Sequence, residues 1–184
     1  GSMLFYSENF ISYFSFISKG ILVTMQYSLI SVFIGLVLGS LIAILGLVPN
    51  KFIRVLIRAY ISIFRGTPLL LQLSIVYFGL PHIINLDISA FTAGLITFSL
   101  NSSAYIAEII KSGINAIDKG QFEACRVLSI PYWTMMFRII LPQAYRNIMP
   151  ALLNEIIDMF KETAIISTIG EMDIMYRAKL LTAE

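Results

Sequence analysis

The sequence predicts an all-α protein, a polytopic bundle of helices that cross a membrane. Hydrophobic residues make up 58% of the chain and charged residues only 13%, whereas soluble domains carry about 25% charged residues. The apolar residues are also gathered in runs without any charge, at residues 21–47 and 90–106. Because about 20 apolar residues are enough to cross a bilayer, each run predicts a transmembrane helix.

The first predicted span follows a lead-in, residues 1–19, that mixes aromatic and polar residues. The lead-in is either a short amphipathic helix on the membrane surface or a simple ordered segment. Within the span, Ser31, Gly35 and Gly39 recur at every fourth position, a spacing that either lets another helix approach closely or reflects the ordinary use of glycine in membrane helices. Four spans are predicted in all: residues 20–47, 59–80, 88–110 and 148–169.

The second span is interrupted by the sequence Arg65-Gly66-Thr67-Pro68. Gly66 permits a kink, and Pro68 removes a backbone donor and crowds the preceding turn. This motif therefore predicts a broken helix. We expect Arg65 to hold the break by bonding to the carbonyl groups that it frees.

The third span carries a polar patch, Asn101, Ser102 and Ser103. These side chains could donate hydrogen bonds to a transported solute, or they could bond to a neighbouring helix. At the end of the span, Glu108 and Lys111 are three residues apart, which predicts an interfacial ion pair.

The fourth span contains charged residues, which are costly inside a membrane and commonly functional. Asn154, Asp158 and Lys161 fall on one helical stripe, and Glu155, Asp158 and Glu162 fall on an overlapping one. One interpretation is a polar wall along a solute path. The other is internal pairing of Asp158 with Lys161. As an alternative function, the three carboxylates could bind a cation or act as acids in a membrane-embedded enzyme.

Basic residues predict the orientation of the chain in the membrane. The loop at 49–58 has three lysines and arginines, the loop at 81–87 has none, and the segment 111–146 has five. Because cytoplasmic loops are enriched in lysine and arginine, the first and third of these segments are expected in the cytoplasm. The N-terminus is then expected outside.

The cytoplasmic segment 111–146 contains "KGQFEACRVLS", which predicts a helix. One side of this helix is expected to carry Phe122, Cys125, Val127 and Leu128, and the exposed side is expected to carry Gln121, Glu123 and Arg126. Pro131 suits the first turn of a second helix, because its missing N–H would be unpaired there. The segment is therefore either a helix, a tight break and a second helix, or an amphipathic loop that lies on the membrane.

The same segment resembles the EAA motif of ABC importer permeases. That motif reads Glu-Ala-Ala, three residues, Gly, nine residues and Ile-x-Leu-Pro. This chain has Glu123-Ala124-Cys125, three residues, Ser129, nine residues and then Ile139-Ile140-Leu141-Pro142. The segments "FRGTPLLLQL", "AYIAEIIKSGINAIDKGQFEA", "LPQAYRNIMPALLNE" and "KETAIIS" are similar to the polar amino acid uptake subfamily, which includes glutamine, histidine and arginine permeases. The resemblance covers residues 20–178.

The resemblance implies a type I ABC importer permease fold, in the bacterial inner membrane, that moves polar amino acids. Such a subunit is not an enzyme and holds no metal or cofactor. The chain has no GxxxxGK[ST] phosphate-binding loop, so ATP and Mg would be bound by a separate ATPase. The implied partners are the ATPase, a second identical or related permease chain, an extracytoplasmic amino-acid-binding protein and the lipid bilayer, without nucleic acid.

The resemblance also implies residue roles. The coupling helix that docks on the ATPase would use Gln121, Glu123, Ala124, Cys125, Leu128, Ser129 and Pro131. Independently of the resemblance, the polar residues of the third and fourth spans are the candidates for a substrate path, unless they pair or bond within the bundle: Asn101, Ser102, Asn154, Glu155, Asp158 and Lys161.

Three departures from the family pattern have consequences. Cys125 replaces an alanine and is expected to be tolerated as a small hydrophobic residue. Ser129 replaces the glycine, and if the position is a left-handed helix cap, serine costs on the order of 1 kcal/mol there. The usual fifth transmembrane helix is expected to be missing, with residues 179–184 as a truncated end. This makes a transport-inactive structural subunit a further alternative.

Overall fold

The computed structural model describes the backbone of residues 2–182, and the side chains there except at residues 2, 3, 5 and 167–178. Every regular element in this part is helical, which confirms the predicted fold class. Two π-helical segments, Ile75–Gly79 and Met136–Ile140, follow α3 and α7. The α-helices are α1 (Ser2–Leu45), α2 (Lys51–Gly66), α3 (Leu69–Ser74), α4 (Leu80–Ile84), α5 (Ala90–Asn115), α6 (Lys119–Val127), α7 (Tyr132–Met135) and α8 (Leu141–Thr182).

Helix α1 joins the expected lead-in and the first expected span into one continuous helix. Polar residues in the lead-in do not interrupt it, because their hydroxyl groups bond within the helix. Ser7 Oγ donates to the Leu4 carbonyl at 2.8 Å, and Ser18 Oγ donates to the Phe14 carbonyl at 2.8 Å. At 1.5 Å per residue, its 44 residues extend about 66 Å, roughly twice the thickness of the hydrocarbon core.

The close approach predicted for the small residues of α1 is confirmed, and α5 is the partner helix. A Cβ atom added at Gly35 would lie 2.6 Å from Ser102 Oγ. One added at Gly39 would lie 2.9 Å from the Ser103 carbonyl oxygen. Glycine therefore lets the two helices pack with their backbones almost in contact, as small residues do in membrane helix pairs.

Two helical stretches of the described chain are long and apolar enough to cross a membrane, Tyr6–Leu45 and Ala90–Asn115. A third span would be the pair Lys51–Gly66 and Leu69–Ile84, which is bent by 107° at the break between them. The fourth predicted span, 148–169, lies inside α8. Its charged residues lower its hydropathy, and its crossing of the membrane stays a prediction.

The main core lies where α5, α6, the second π segment and the start of α8 meet. Its centre contains completely buried side chains, among them Ile106, Ile110, Met136 and Ile140. Cys125 of α6 belongs to the same cluster. This packing fixes the position of α6 against the long helices.

Candidate functional site

Helix α6 begins and ends with defined caps. At its start, Asp118 Oδ1 accepts a hydrogen bond from the Gly120 N–H at 3.1 Å. At its end, the Ser129 N–H donates to the Arg126 carbonyl at 3.0 Å, and the Ile130 N–H donates to the Cys125 carbonyl at 3.0 Å. These two bonds are those of a Schellman motif, which satisfies carbonyl groups that a helix end leaves free.

Ser129 occupies the position of this cap that favours glycine. Its φ angle is 57°, in the left-handed region. A residue with a Cβ atom is strained there by about 1 kcal/mol. Pro131 follows with an extended backbone and caps α7, with φ −59° and ψ 145°. The segment is thus a helix, a tight turn and a second helix.

One side of α6 is exposed and includes large apolar side chains. Val127 is 83% exposed and Leu128 is 71% exposed, so the prediction that they share a side with Cys125 is wrong. Val127 is two positions from Cys125, about 200° around the helix, and Leu128 is the C-cap residue where the helix ends. Glu123 and Ala124 lie on the exposed side as well. We call these four residues the α6 surface. Exposed leucine and valine side chains that lie together commonly mark an interaction site.

Two of the residues assigned to the coupling helix contact the rest of this chain instead. Cys125 is only 4% exposed and packs in the core. Gln121 exchanges two side-chain hydrogen bonds with Gln143 of α8, one of them 2.8 Å long, and Gln143 Nε2 also donates to the Ile139 carbonyl at 3.0 Å. These two side chains attach α6 to the bundle rather than lining its exposed side.

The break predicted at Arg65–Pro68 is held by a glutamine, not by Arg65. Gln72 Nε2 lies 2.9 Å from the Phe64 carbonyl oxygen, 3.2 Å from the Thr67 carbonyl oxygen and 2.7 Å from Thr67 Oγ1. Gln72 is buried, so the carbonyl groups freed by the break find their donor inside the protein. A single glutamine in the apolar run "LLLQLS" was the sequence signal for this role.

Arg65 turns away from the break and contacts α5. Its Nη1 atom is 3.8 Å from Glu108 Oε1, and its guanidinium carbon lies 5.7 Å from the centre of the Tyr105 ring. The expected pair of Glu108 with Lys111 is therefore replaced by a pair with Arg65.

Gly66 has a negative φ, and a Cβ atom added there would meet nothing within 4 Å. Neither the backbone conformation nor the available space therefore requires glycine at this position.

The polar patch of α5 forms bonds between helices. Asn101 Nδ2 donates to Gln72 Oε1 at 3.1 Å. Ser103 Oγ is 2.7 Å from Tyr60 Oη of α2, and Ser102 is buried at the contact with Gly35. This geometry supports the interpretation that the polar patch contacts neighbouring helices. A role of Asn101 or Ser102 in a substrate path stays a prediction.

Among the described side chains of α8, the polar residues are not brought together into an ion pair or a cation site. Asn154, Asp158 and Lys161 are exposed, and Glu155 is buried. In the part of the chain whose side chains are described, Asp158 and Lys161 form no salt bridge. No group of three potential metal ligands occurs in that part of the chain either, so Glu155, Asp158 and Glu162 do not form a metal site there.

Known proteins similar to this chain are transport proteins. The family model described as "Binding-protein-dependent transport system inner membrane component" matches residues 35–180. The chain is 52% identical over 182 residues to the "Putative glutamine transport system permease protein GlnP" of Rickettsia prowazekii (strain Madrid E), covering 99% of this chain and 84% of that protein. It is 47% identical over 163 residues to the "Arginine transport system permease protein ArtQ" of Bacillus subtilis (strain 168), covering 89% and 74%.

Solved structures resemble this chain too. A structure described as "Crystal structure of an amino acid ABC transporter with histidines" superimposes with a TM-score of 0.81 at 40% identity, covering 95% of this chain and 81% of that one. An inward-facing MetNI methionine ABC transporter shares the fold with a TM-score of 0.65 at 22% identity, covering 84% and 72%. The chain therefore belongs to the family of binding-protein-dependent transport system inner membrane components.

Proposed function

We propose that this chain is the membrane-spanning permease subunit of an ATP-driven ABC importer for polar amino acids, and that α6 couples it to a separate ATPase. The names of its relatives support the substrate class, since proteins with 52% and 47% identity are described as glutamine and arginine transport permeases. The subunit itself binds no ATP in this proposal. ATP and Mg are bound by the partner.

The observation that carries the coupling proposal is the α6 surface. Val127 and Leu128 are two of the most exposed apolar side chains outside the long helices. Glu123 adds a negative charge near them. Apolar side chains surrounded by charged and polar groups suit a groove on another protein, and burial of each would contribute about 1.5–3 kcal/mol.

A coupling element must also be stiff enough to transmit force. Helix α6 is held at its end by the Ser129 cap, along its inner side by Cys125 in the core, and at its start by the bonds of Gln121 with Gln143. Movement of the α6 surface would therefore move α8 and α5 with it. This supports coupling through rigid-body motion rather than through a flexible loop.

The proposal includes an orientation and further partners. The basic segments 49–58 and 111–146 are assigned to the cytoplasm and the N-terminus to the outside, which places the α6 surface on the side of ATP. A second permease chain and an extracytoplasmic amino-acid-binding protein complete the importer. The exposed polar residues of α8, Asn154, Asp158 and Lys161, are proposed to line the substrate path.

The test is the stimulation of ATP hydrolysis by substrate-loaded binding protein in liposomes that contain the assembled importer. Val127→Asp places a charge on the α6 surface, and we expect it to abolish stimulation while the complex still inserts. The matched control is Ile83→Asp, because Ile83 is 78% exposed and lies on α4, away from α6. Full stimulation with Val127→Asp, or equal loss with both variants, would refute the coupling role.

A further inference from the structure

A cavity of about 520 Å³ lies between the end of α1, one side of α2 and the end of α5. One part of its wall is apolar and includes Ile42, Ile57 and Ile61. The other part is strongly basic. Its cations come from two helices: Arg54, Arg58 and Arg65 from α2 and Lys111 from α5.

The charges of this cavity are not balanced. Among the described residues, Glu108 is the one carboxylate in the cavity lining, and it is paired with Arg65 at 3.8 Å. In the described part of the chain, no carboxylate lies within ion-pair distance of Arg54, Arg58 or Lys111. Three like charges around one cavity repel one another, so an anion bound between them would be stabilised.

Helix geometry explains why the arginines face the same way. Arg54, Arg58 and Arg65 are four and seven residues apart, which places them on one stripe of α2. On the opposite stripe, Phe52 is 70% exposed, Leu56 is 53% exposed and Ile63 is 61% exposed. Helix α2 thus has a basic side toward the cavity and an apolar side suited to lipid, as helices at a membrane boundary do.

We propose that this cavity binds the headgroup of an anionic phospholipid. The phosphate would lie between Arg54, Arg58 and Lys111, since guanidinium groups match the geometry of phosphate oxygens. The glycerol and the first methylene groups would contact Ile57 and Ile61. Basic pockets between membrane helices are known to suit anionic headgroups. The combination of a cationic wall with an apolar wall favours an amphiphile over a free anion.

The test is native mass spectrometry of the full chain in detergent, with phosphatidylglycerol, phosphatidylcholine or inorganic phosphate added. We expect phosphatidylglycerol to be retained about tenfold more strongly than phosphatidylcholine. Arg54→Gln combined with Arg58→Gln should remove most of this preference. The matched control is Arg138→Gln combined with Arg146→Gln, which removes two exposed arginines outside the cavity and should change nothing.

Further measurements distinguish binding of the lipid from binding of other ligands and from misfolding of the variants. Millimolar inorganic phosphate or glutamine should not displace phosphatidylglycerol, and displacement by either would overturn the lipid assignment. Equal retention of the two lipids by the unsubstituted chain would also overturn it, and this comparison does not depend on the folding of any variant. The double variant at Arg138 and Arg146 could lose the preference for phosphatidylglycerol as fully as the variant at Arg54 and Arg58. The arginines would then act only through the net charge of the protein, and the proposed site in this cavity would be wrong.

Discussion

Asn101 of α5 donates a hydrogen bond to Gln72 Oε1 at 3.1 Å, and the amide nitrogen of Gln72 is 2.9 Å from the Phe64 carbonyl oxygen. Two amide side chains thus connect the middle of a long helix to the end of α2. Both are buried. In a membrane, where water cannot replace a lost donor, these bonds stabilise the 107° bend between α2 and the α3–α4 arm.

Gln72→Leu is therefore expected to destabilise the protein by about 2–4 kcal/mol, because it leaves buried carbonyl groups without a donor. The measurement is the midpoint of thermal unfolding in detergent. Ser74→Ala serves as the control, since the exposed hydrogen bond of the Ser74 hydroxyl stays within its own helix, to the Leu70 carbonyl. Similar midpoints for both variants would show that Gln72 does not hold the break.

Ser129→Gly is expected to stabilise the chain by about 1 kcal/mol, because glycine adopts a φ of 57° without the strain of a Cβ atom. Ser129→Val should have the opposite effect, since a β-branched residue suffers most in that region. Chemical unfolding of both variants beside the unsubstituted chain measures the two differences. If the glycine variant is less stable than the unsubstituted chain, Ser129 is not a strained left-handed cap of α6.

Gly39→Ala should separate α1 from α5. The new Cβ atom would lie 2.9 Å from both the Ile106 Cβ and the Ser103 carbonyl oxygen, so the helices must shift. The expected cost is about 1–3 kcal/mol. Gly66→Ala is the matched control, because its Cβ would meet nothing within 4 Å and its φ is not positive. If both variants unfold at the same temperature, the close packing at Gly39 does not contribute to stability.

Asp158→Asn tests the proposed substrate path. Asp158 is exposed and unpaired among the described residues, so a cationic substrate could use its charge. Uptake of arginine into proteoliposomes should fall by about tenfold, while uptake of glutamine should change little. A charge-conserving variant, Asp158→Glu, should keep part of the arginine transport. Equal losses for arginine and glutamine would remove Asp158 from substrate selection.

Local features of the chain could be predicted from the sequence, and contacts between distant residues could not. The break after α2 follows from Pro68, and the break between α6 and α7 follows from Pro131, since each proline acts on its own backbone. The left-handed backbone of Ser129 was considered only as one possibility, because the family motif has a glycine at this position.

The partners of Arg65 and Gln121 could not be predicted from the sequence. Arg65 pairs with Glu108, 43 positions away, and Gln121 bonds to Gln143, 22 positions away, in a direction set by the packing of α5 and α8. No local pattern specifies such a contact. The continuity of α1 through the lead-in was missed for a different reason, because serine hydroxyl groups that bond to their own helix make a polar sequence compatible with a helix.

The central claim, docking of the α6 surface on an ATPase, can be tested by cross-linking. Val127→Cys gives an exposed thiol, whereas the native Cys125 is buried and should not react. In the assembled importer, a short thiol-to-amine reagent should join Val127→Cys to the ATPase subunit, with a higher yield in the presence of ATP. It should not join Ile83→Cys to that subunit. Absence of the Val127 product, or an equal yield from Ile83→Cys, would contradict the account.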